Sequence, residues 1–251
     1  MKQSKTVLIT GATSGIGFSL AQAFAKKGYQ LVLVSSNREH LIHAQKMLQP
    51  VSCQKHIYMI CQDLSQPHAA ERVYEKVESQ GLFVDILINN AGFGIVGDTT
   101  HNDPHKEEAM LQIQVQTTTR LCELFLQKMY QKGHGKILNV ASVGAFQPGP
   151  YTAAYYAGKA YISSYSRAIR YEAASKGVQV CTLYPGTTRT AFFEKAGSKT
   201  PFWAMSPDKV AAAAYCGLLK NKEMIVPGLI NQILRLVPAG LKVKGVAFLK
   251  K

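Results

Sequence analysis

The stretch Lys5-Thr-Val-Leu-Ile-Thr10 runs without a break into Gly11-Ala-Thr-Ser-Gly15-Ile-Gly17, and a helical pattern continues from Ile16 to Lys27. A short apolar, β-branched run of this kind reads as a strand buried on both faces. Each glycine has its own purpose at such a strand-to-helix turn. Gly11 suits the tight turn, Gly15 the close approach of a pyrophosphate to the backbone, and Gly17 the close packing of helix on strand. The helix start presents free N–H groups and a partial positive charge to phosphates, with Thr13, Ser14 and Ile16 beside them. Three glycines alone are a weak signal; between this strand and this helix they are a strong one for a dinucleotide.

Outward from this stretch, short β-branched runs alternate with helix-length segments. Strands are expected at Val7–Thr10, Gln30–Val34, Ile57–Ile60, Ile86–Asn89, Lys136–Val140, Gln179–Tyr184 and Met224–Val226. Helices are expected at Ile16–Lys27, Glu39–Leu48, Ala69–Ser79, Lys106–Gln131, Ala153–Lys176 and Pro207–Leu219. Such alternation calls for a parallel sheet covered on both faces. The expected fold is a single-domain, doubly wound α/β Rossmann fold of about seven parallel strands spanning residues 1–251. Two segments stand outside the alternation. Residues 187–206 hold Phe192, Phe193, Phe202 and Trp203 beyond a strand's carboxyl end, where open α/β sheets bind ligands. The second lies at about 227–251. From Lys220 to Lys251 there are seven Lys or Arg and one acid, and Leu229, Ile230, Ile233, Leu234 and Val237 follow helical spacing. A tail packed over the pocket or a subunit interface, bounded by Pro227 and Pro238, is favoured over a helix lying on an anionic membrane.

Composition is globular, with 47% hydrophobic and 18% charged residues among 251. The chain enters a strand at once, leaving no room for a signal peptide, and no apolar run reaches the ~18 residues of a membrane span. Five scattered cysteines, Cys53, Cys61, Cys122, Cys181 and Cys216, read as reduced and mostly buried thiols of a cytoplasmic protein. His101 and His105 are separated by Pro104, and no metal site is expected. The net charge of +14 suits an anionic cofactor or an acidic partner but serves solubility first. No motif supports nucleic-acid binding.

Where an NAD site would carry a carboxylate for the ribose, the chain has Ser35-Ser36-Asn37-Arg38. Hydroxyls and an arginine accept a 2′-phosphate that a carboxylate would repel, which favours NADP(H) over NAD(H). Farther on, Tyr155 and Lys159 share a helix face. Hydride transfer to a carbonyl needs a proton donor for the oxygen, and the reverse needs a base. A phenol with a reference pKa of about 10 becomes a usable base when an adjacent ammonium favours the phenolate. Ser142, just past a strand, is placed to hydrogen-bond the same oxygen.

With Asn89-Asn-Ala-Gly92 and Pro185-Gly186 added to these motifs, the chain resembles the short-chain dehydrogenase/reductase superfamily over nearly its whole length. The resemblance implies that Tyr155 is the general acid/base, that Lys159 lowers its pKa and binds the nicotinamide ribose, and that Ser142 orients the substrate oxygen. It implies that Asn90, Ala91 and Gly92 close the cofactor cleft and that Asp63 and Leu64 contact the adenine. Pro185, Gly186, Thr187, Thr188 and Thr190 would border the nicotinamide. It also implies a small-molecule carbonyl or alcohol substrate and a homodimer or homotetramer built on the two long helices. Phe93, Phe146, Phe192 and Phe193 are the pocket candidates. One position departs from the family. Gln114 stands where relatives carry the Asn thought to hold a helix distortion and a water of the proton relay behind the lysine. Two other readings stay open: a weakly active or inactive NADP(H) sensor, and a 3-oxoacyl-carrier-protein reductase whose basic surface meets an acidic carrier.

Overall fold

The computed structural model describes residues 4–53, 56–191 and 201–250. Seven strands, β1 (Thr6–Thr10), β2 (Gln30–Ser35), β3 (Tyr58–Cys61), β4 (Ile86–Asn89), β5 (Gly135–Val140), β6 (Val178–Leu183) and β7 (Met224–Ile225), form one sheet in the order β3-β2-β1-β4-β5-β6-β7. Every pairing is parallel, with Thr6 opposite Gln30 and Val7 opposite Ile86 at the centre. Chain order reverses between β1 and β4, so the loops leaving these two strands part and open a crevice at their carboxyl ends.

Alternate residues of each strand supply two separate cores. Val7, Ile9, Leu31 and Leu33 face α1 (Gly15–Ala25), α2 (Arg38–Leu48) and α7 (Pro207–Leu219), packing on Leu20, Phe24, Leu41 and Val210. Leu8, Val32, Leu87 and Ile137 face α3 (Ala69–Glu78), α5 (Thr118–Lys132) and α6 (Ala153–Ala174), packing on Val73, Leu121, Phe125 and Ile169. Burial on both faces is why these strands read as continuous apolar runs. Local chemistry sets the helix starts. Asn37 caps α2 by accepting from the His40 N–H, and Ser206 caps α7 from the Lys209 N–H, with Pro207 as the first helical residue.

Two expectations need correction. The helix expected over Lys106–Gln131 is broken: α4 (Pro104–Leu111) passes into a π-helical segment, Gln112–Thr117, before α5 begins. Of the cysteines only Cys122 and Cys181 are buried; Cys53, Cys61 and Cys216 are exposed, because they lie in a loop, on the edge strand and on the outer side of α7. On α6, Ala157, Ala160, Ser164 and Ala168 face away from the sheet, since Gly158, Ile162, Ser166 and Ile169 form its buried side. The C-terminal stretch forms α8 (Leu229–Leu236) and α9 (Ala239–Lys250), and α8 buries none of its residues. No described helix is long and apolar enough to cross a membrane.

The turn after β1 depends on missing side chains. A Cβ on Gly17 would lie 2.2 Å from the Gly11 carbonyl oxygen. Gly17→Ala should therefore cost about 2–3 kcal/mol and lower the unfolding midpoint by roughly 5–10 °C in a calorimetric scan. Gly240→Ala, where an added Cβ meets none of the described residues within 4 Å, serves as the control without overlap and should not lower the midpoint.

Candidate active site

A cleft of about 670 Å³ opens at the carboxyl ends of the central strands. Its first half is built from backbone. Gly11 and Gly15 adopt φ of +63° and +53°, a left-handed conformation that favours glycine. Ser14, the residue before α1, makes no side-chain cap, so the first N–H groups of α1 are left for an anion. Asn90 staples this turn to β4: its Nδ2 donates to the carbonyls of Thr10 (2.9 Å) and Gly11 (3.2 Å). Thr10 Oγ1 in turn accepts from the N–H groups of Asn90 (2.9 Å) and Ala91 (3.0 Å). A glycine cradle, a bare helix amino end and the absence of a carboxylate at Ser35 and Ser36 fit a dinucleotide phosphate chain.

The lining includes Gly11, Thr13, Ser14, Gly15, Ile16, Ser35, Ser36, Asp63, Leu64, Asn90, Ala91 and Gly92 from the expected cofactor set, and Pro185, Gly186, Thr188 and Thr190 on the opposite side. Thr13 Oγ1 and Ser35 Oγ are 3.2 Å apart. Burial pushes the Asp63 carboxyl up, but hydrogen bonds from Ser65 N–H, Ser65 Oγ and Gln66 outweigh it and hold the group below the usual carboxylate range. Asn37 and Arg38 stand outside the lining, Asn37 as the α2 cap and Arg38 as its exposed first residue.

In the second half Ser142, Tyr155 and Lys159 converge. Ser142 follows β5, and its Oγ accepts from Gly144 N–H at 3.1 Å while also hydrogen-bonding Tyr155. Burial pushes the Tyr155 phenol up to about 12, with the Ser142 hydrogen bond opposing. Lys159 is buried; its Nζ donates to Val140 O at 2.9 Å and lies 5.7 Å from the Tyr155 ring centroid. Burial brings this ammonium down from 10.5 to about 8. The protein alone therefore does not lower the phenol, contrary to the simple expectation from an adjacent ammonium. Desolvation of both groups is the stronger effect.

Gln114 lies behind them, fully buried inside the π-helical segment. Its Nε2 donates to Phe93 O at 2.9 Å, while its buried Oε1 finds no hydrogen-bond partner among the described residues. The distortion is present with Gln in this place. The extra methylene is accommodated by Gly158, where a Cβ would lie only 2.6 Å from Gln114 Oε1. Gly92 completes the contact, with its Cβ position 3.7 Å from Lys159 Nζ and 3.8 Å from Gln114 Cγ.

Sequence reading missed Gly158, Thr10 and Tyr156. The Tyr156 ring lies on Gly144 and Gly149 and pins that loop over the cleft, where a Cβ on Gly149 would meet the ring at 2.4 Å. Only adjacency to the Tyr155 motif marked Tyr156 and Gly158. Gly17 packs behind the cleft instead of lining it. Phe93 lines the cleft, but Phe146, expected in the pocket, stacks on Tyr184 at 4.8 Å because its short 3₁₀ turn aims it at that core. Phe192 and Phe193 lie outside the described residues.

A family model described as short chain dehydrogenase matches residues 5–201. The fold is similar to that of a short-chain dehydrogenase from Sphingobium yanoikuyae in complex with NADPH, at 29% identity and a TM-score of 0.85, covering 98% of this chain and 93% of that one. It is also similar to the bulky-bulky ketone specific alcohol dehydrogenase from Comamonas testosteroni, at 27% identity and a TM-score of 0.81, covering 95% and 93%. In sequence it is 26% identical over 225 residues to the fatty acyl-CoA reductase of Acinetobacter baylyi, covering 89% of this chain and 76% of that protein.

Two stability measurements test this geometry. Gly158→Ser alone should cost about 2 kcal/mol, and less than about 1 in the Gln114→Asn background; additive losses would show that the two residues do not press on each other. The second concerns Lys159, whose ammonium titrates near 8 in the fold and 10.5 in the unfolded chain. Below pH 8 both states are protonated and the buried charge destabilises the fold in full. Between pH 8 and 10.5 the fold sheds the proton first, so stability recovers as pH rises. Relative to Lys159→Met, wild type should gain on the order of 2–3 kcal/mol across that window in urea titrations. A flat difference would refute the buried charge.

Proposed function

The chain belongs to the short-chain dehydrogenase family, and we propose that it interconverts a carbonyl and an alcohol on a hydrophobic small molecule or acyl substrate, with NADP(H) as cofactor and Tyr155 as general acid and base. As a member of that family it is an oxidoreductase. The observation that carries the finer reading is the meeting of Ser142, Tyr155 and Lys159 at one wall of a cleft whose other wall is the glycine cradle.

NADP(H), when bound, supplies or accepts the hydride. Ser142 Oγ holds the substrate oxygen and, through its bond to Tyr155, aims the phenol at it. At neutral pH Tyr155 is protonated, so it is set to give its proton to a carbonyl oxygen; that state suits reduction. Lys159, fixed by Val140 O, sets its ammonium 5.7 Å from the centre of the Tyr155 ring, where a positive charge favours the phenolate when the proton leaves. Gln114 is a positioning residue, holding the Phe93 carbonyl one residue after Gly92, which lies against the lysine.

NADP(H) over NAD(H) is supported by Ser35 and Ser36 in the cleft lining and by Arg38 three residues after Ser35 in sequence, with no acid from Ser35 to Arg38. A hydrophobic substrate is supported by Phe93, Ile95 and Val96 in the lining. The outward row Ala157, Ala160, Ser164 and Ala168 supports a homodimer or homotetramer built on α6.

Fluorescence titration should give NADPH binding about tenfold or more tighter than NADH, with the advantage lost in Arg38→Glu. On a panel of bulky ketones and long-chain aldehydes, Tyr155→Phe should cut turnover about 10²–10⁴-fold while leaving NADPH binding unchanged. Binding of neither cofactor, or full turnover in Tyr155→Phe, would overturn the proposal.

A further inference from the structure

Helix α8 is inside out. Leu229, Ile230, Ile233, Leu234 and Leu236 fall on one arc of about 160° at 3.6 residues per turn. All five face solvent, at 48 to 75% exposure. The polar residues between them turn toward the protein: Asn231 Nδ2 donates to Pro227 O (2.7 Å), Gln232 Nε2 to Val226 O (3.0 Å), and Arg235 lies against Met224 Sδ (3.6 Å). Those bonds fix the helix's rotation, so the apolar arc cannot roll inward without breaking them. A second apolar group stands beside it. Phe202 and Trp203, 88% and 63% exposed, meet edge to face. Met205, two residues on, packs at Gly228, the residue before α8. Exposed apolar groups gathered in this way mark an interaction surface.

Charge selects the occupant. From Lys220 to Lys251 the chain carries seven basic residues and one acid; Arg235 and Lys242 bond inward, to Met224 Sδ and Phe146 O, while Lys220, Lys222 and Lys244 are exposed. A symmetric contact between two copies on this face would set two such segments against each other. An arc about 12 Å long also falls short of the roughly 800 Å² per partner of a specific protein interface. An anionic lipid surface satisfies both features, taking apolar side chains into the acyl boundary and basic ones at its headgroups.

We infer that the chain docks peripherally on anionic membranes through α8, with Phe202 and Trp203 as flanking anchors. Asn231, which packs on Gly186 at the cleft, sets this surface beside the cleft mouth. Vesicle binding needs no turnover, so its failure would leave the carbonyl chemistry untouched.

The test is flotation of the full chain with vesicles of equal phosphatidylglycerol and phosphatidylcholine, and with phosphatidylcholine alone. Wild type should float with the anionic vesicles, several-fold less with the neutral ones, and less at high salt. Ile230→Gln with Ile233→Gln should weaken anionic binding about tenfold or more while leaving cofactor binding and the unfolding midpoint unchanged, because both side chains already face water. Absence of wild-type binding, or equal binding by the double variant, would overturn the inference. So would a change in oligomeric state by light scattering in that variant, which would assign the face to a second copy.

Discussion

The floor of the cleft has its shape because the chain can pass Gly17 without a side chain. With nothing on that α-carbon, the first turn of α1 comes down onto the Gly11 carbonyl, and the Asn90 amide can reach both Thr10 O and Gly11 O. Two parallel strands next to each other at a reversal of chain order would open a crevice in any case. What this contact adds is a crevice floor of fixed backbone with N–H groups aimed outward. The turn is thus held from one side by the absence of atoms and from the other by a bidentate amide. Thr10 Oγ1, which accepts two N–H groups from the β4 loop, closes the arrangement.

The catalytic wall is organised around a different cost. Lys159 is a buried cation whose hydrogen-bond partner is the Val140 carbonyl, a dipole instead of a charge, and its fall to about 8 reflects that. A fold selected for stability alone would not keep it. The same desolvation keeps Tyr155 protonated, so the pair sits in opposite departures from ordinary values in one small volume. Groups pushed apart in this way are common where protons are moved. The π-helical segment belongs to this wall as well. By adding a residue to one turn it brings Gln114 inward to the Phe93 carbonyl, and Gly158 supplies the space a longer amide needs. Gln114 and Gly158 therefore form one adaptation.

Much of this was legible in the residues and some of it was not, for reasons that differ. The parallel sheet was readable because burial on both faces writes continuous apolar runs at Val7–Thr10 and Gln30–Val34, and the glycine loop because φ above zero limits the choice of residue. The break in Lys106–Gln131 was not readable as local structure: a π turn changes backbone hydrogen-bond register without disturbing the apolar spacing around it. Phe146 was misjudged because a loop residue carries no periodicity to say which side it faces. The space at Gly158 depends on a residue 44 positions earlier, Gln114, and pairwise fit across two helices has no signature in one sequence. In α8 the apolar spacing was evident, yet its direction was set by Asn231 and Gln232 bonding inward, which spacing alone does not reveal.

The two halves of the cleft are built by different means, and this bears on specificity. The cofactor half uses backbone at the ends of central strands, where both faces are buried and little can change without loss of the core. On the other half, Thr188 is bridged to Met205, Thr190 and Ala191 still line the cleft, and Phe202, Trp203 and the outward face of α8 are exposed. Few of these side chains contribute to either core, so they can vary at little cost in stability. The glycine cradle therefore sits on the part of the chain that the fold constrains most, and the exposed residues around Met205 and α8 on the part it constrains least.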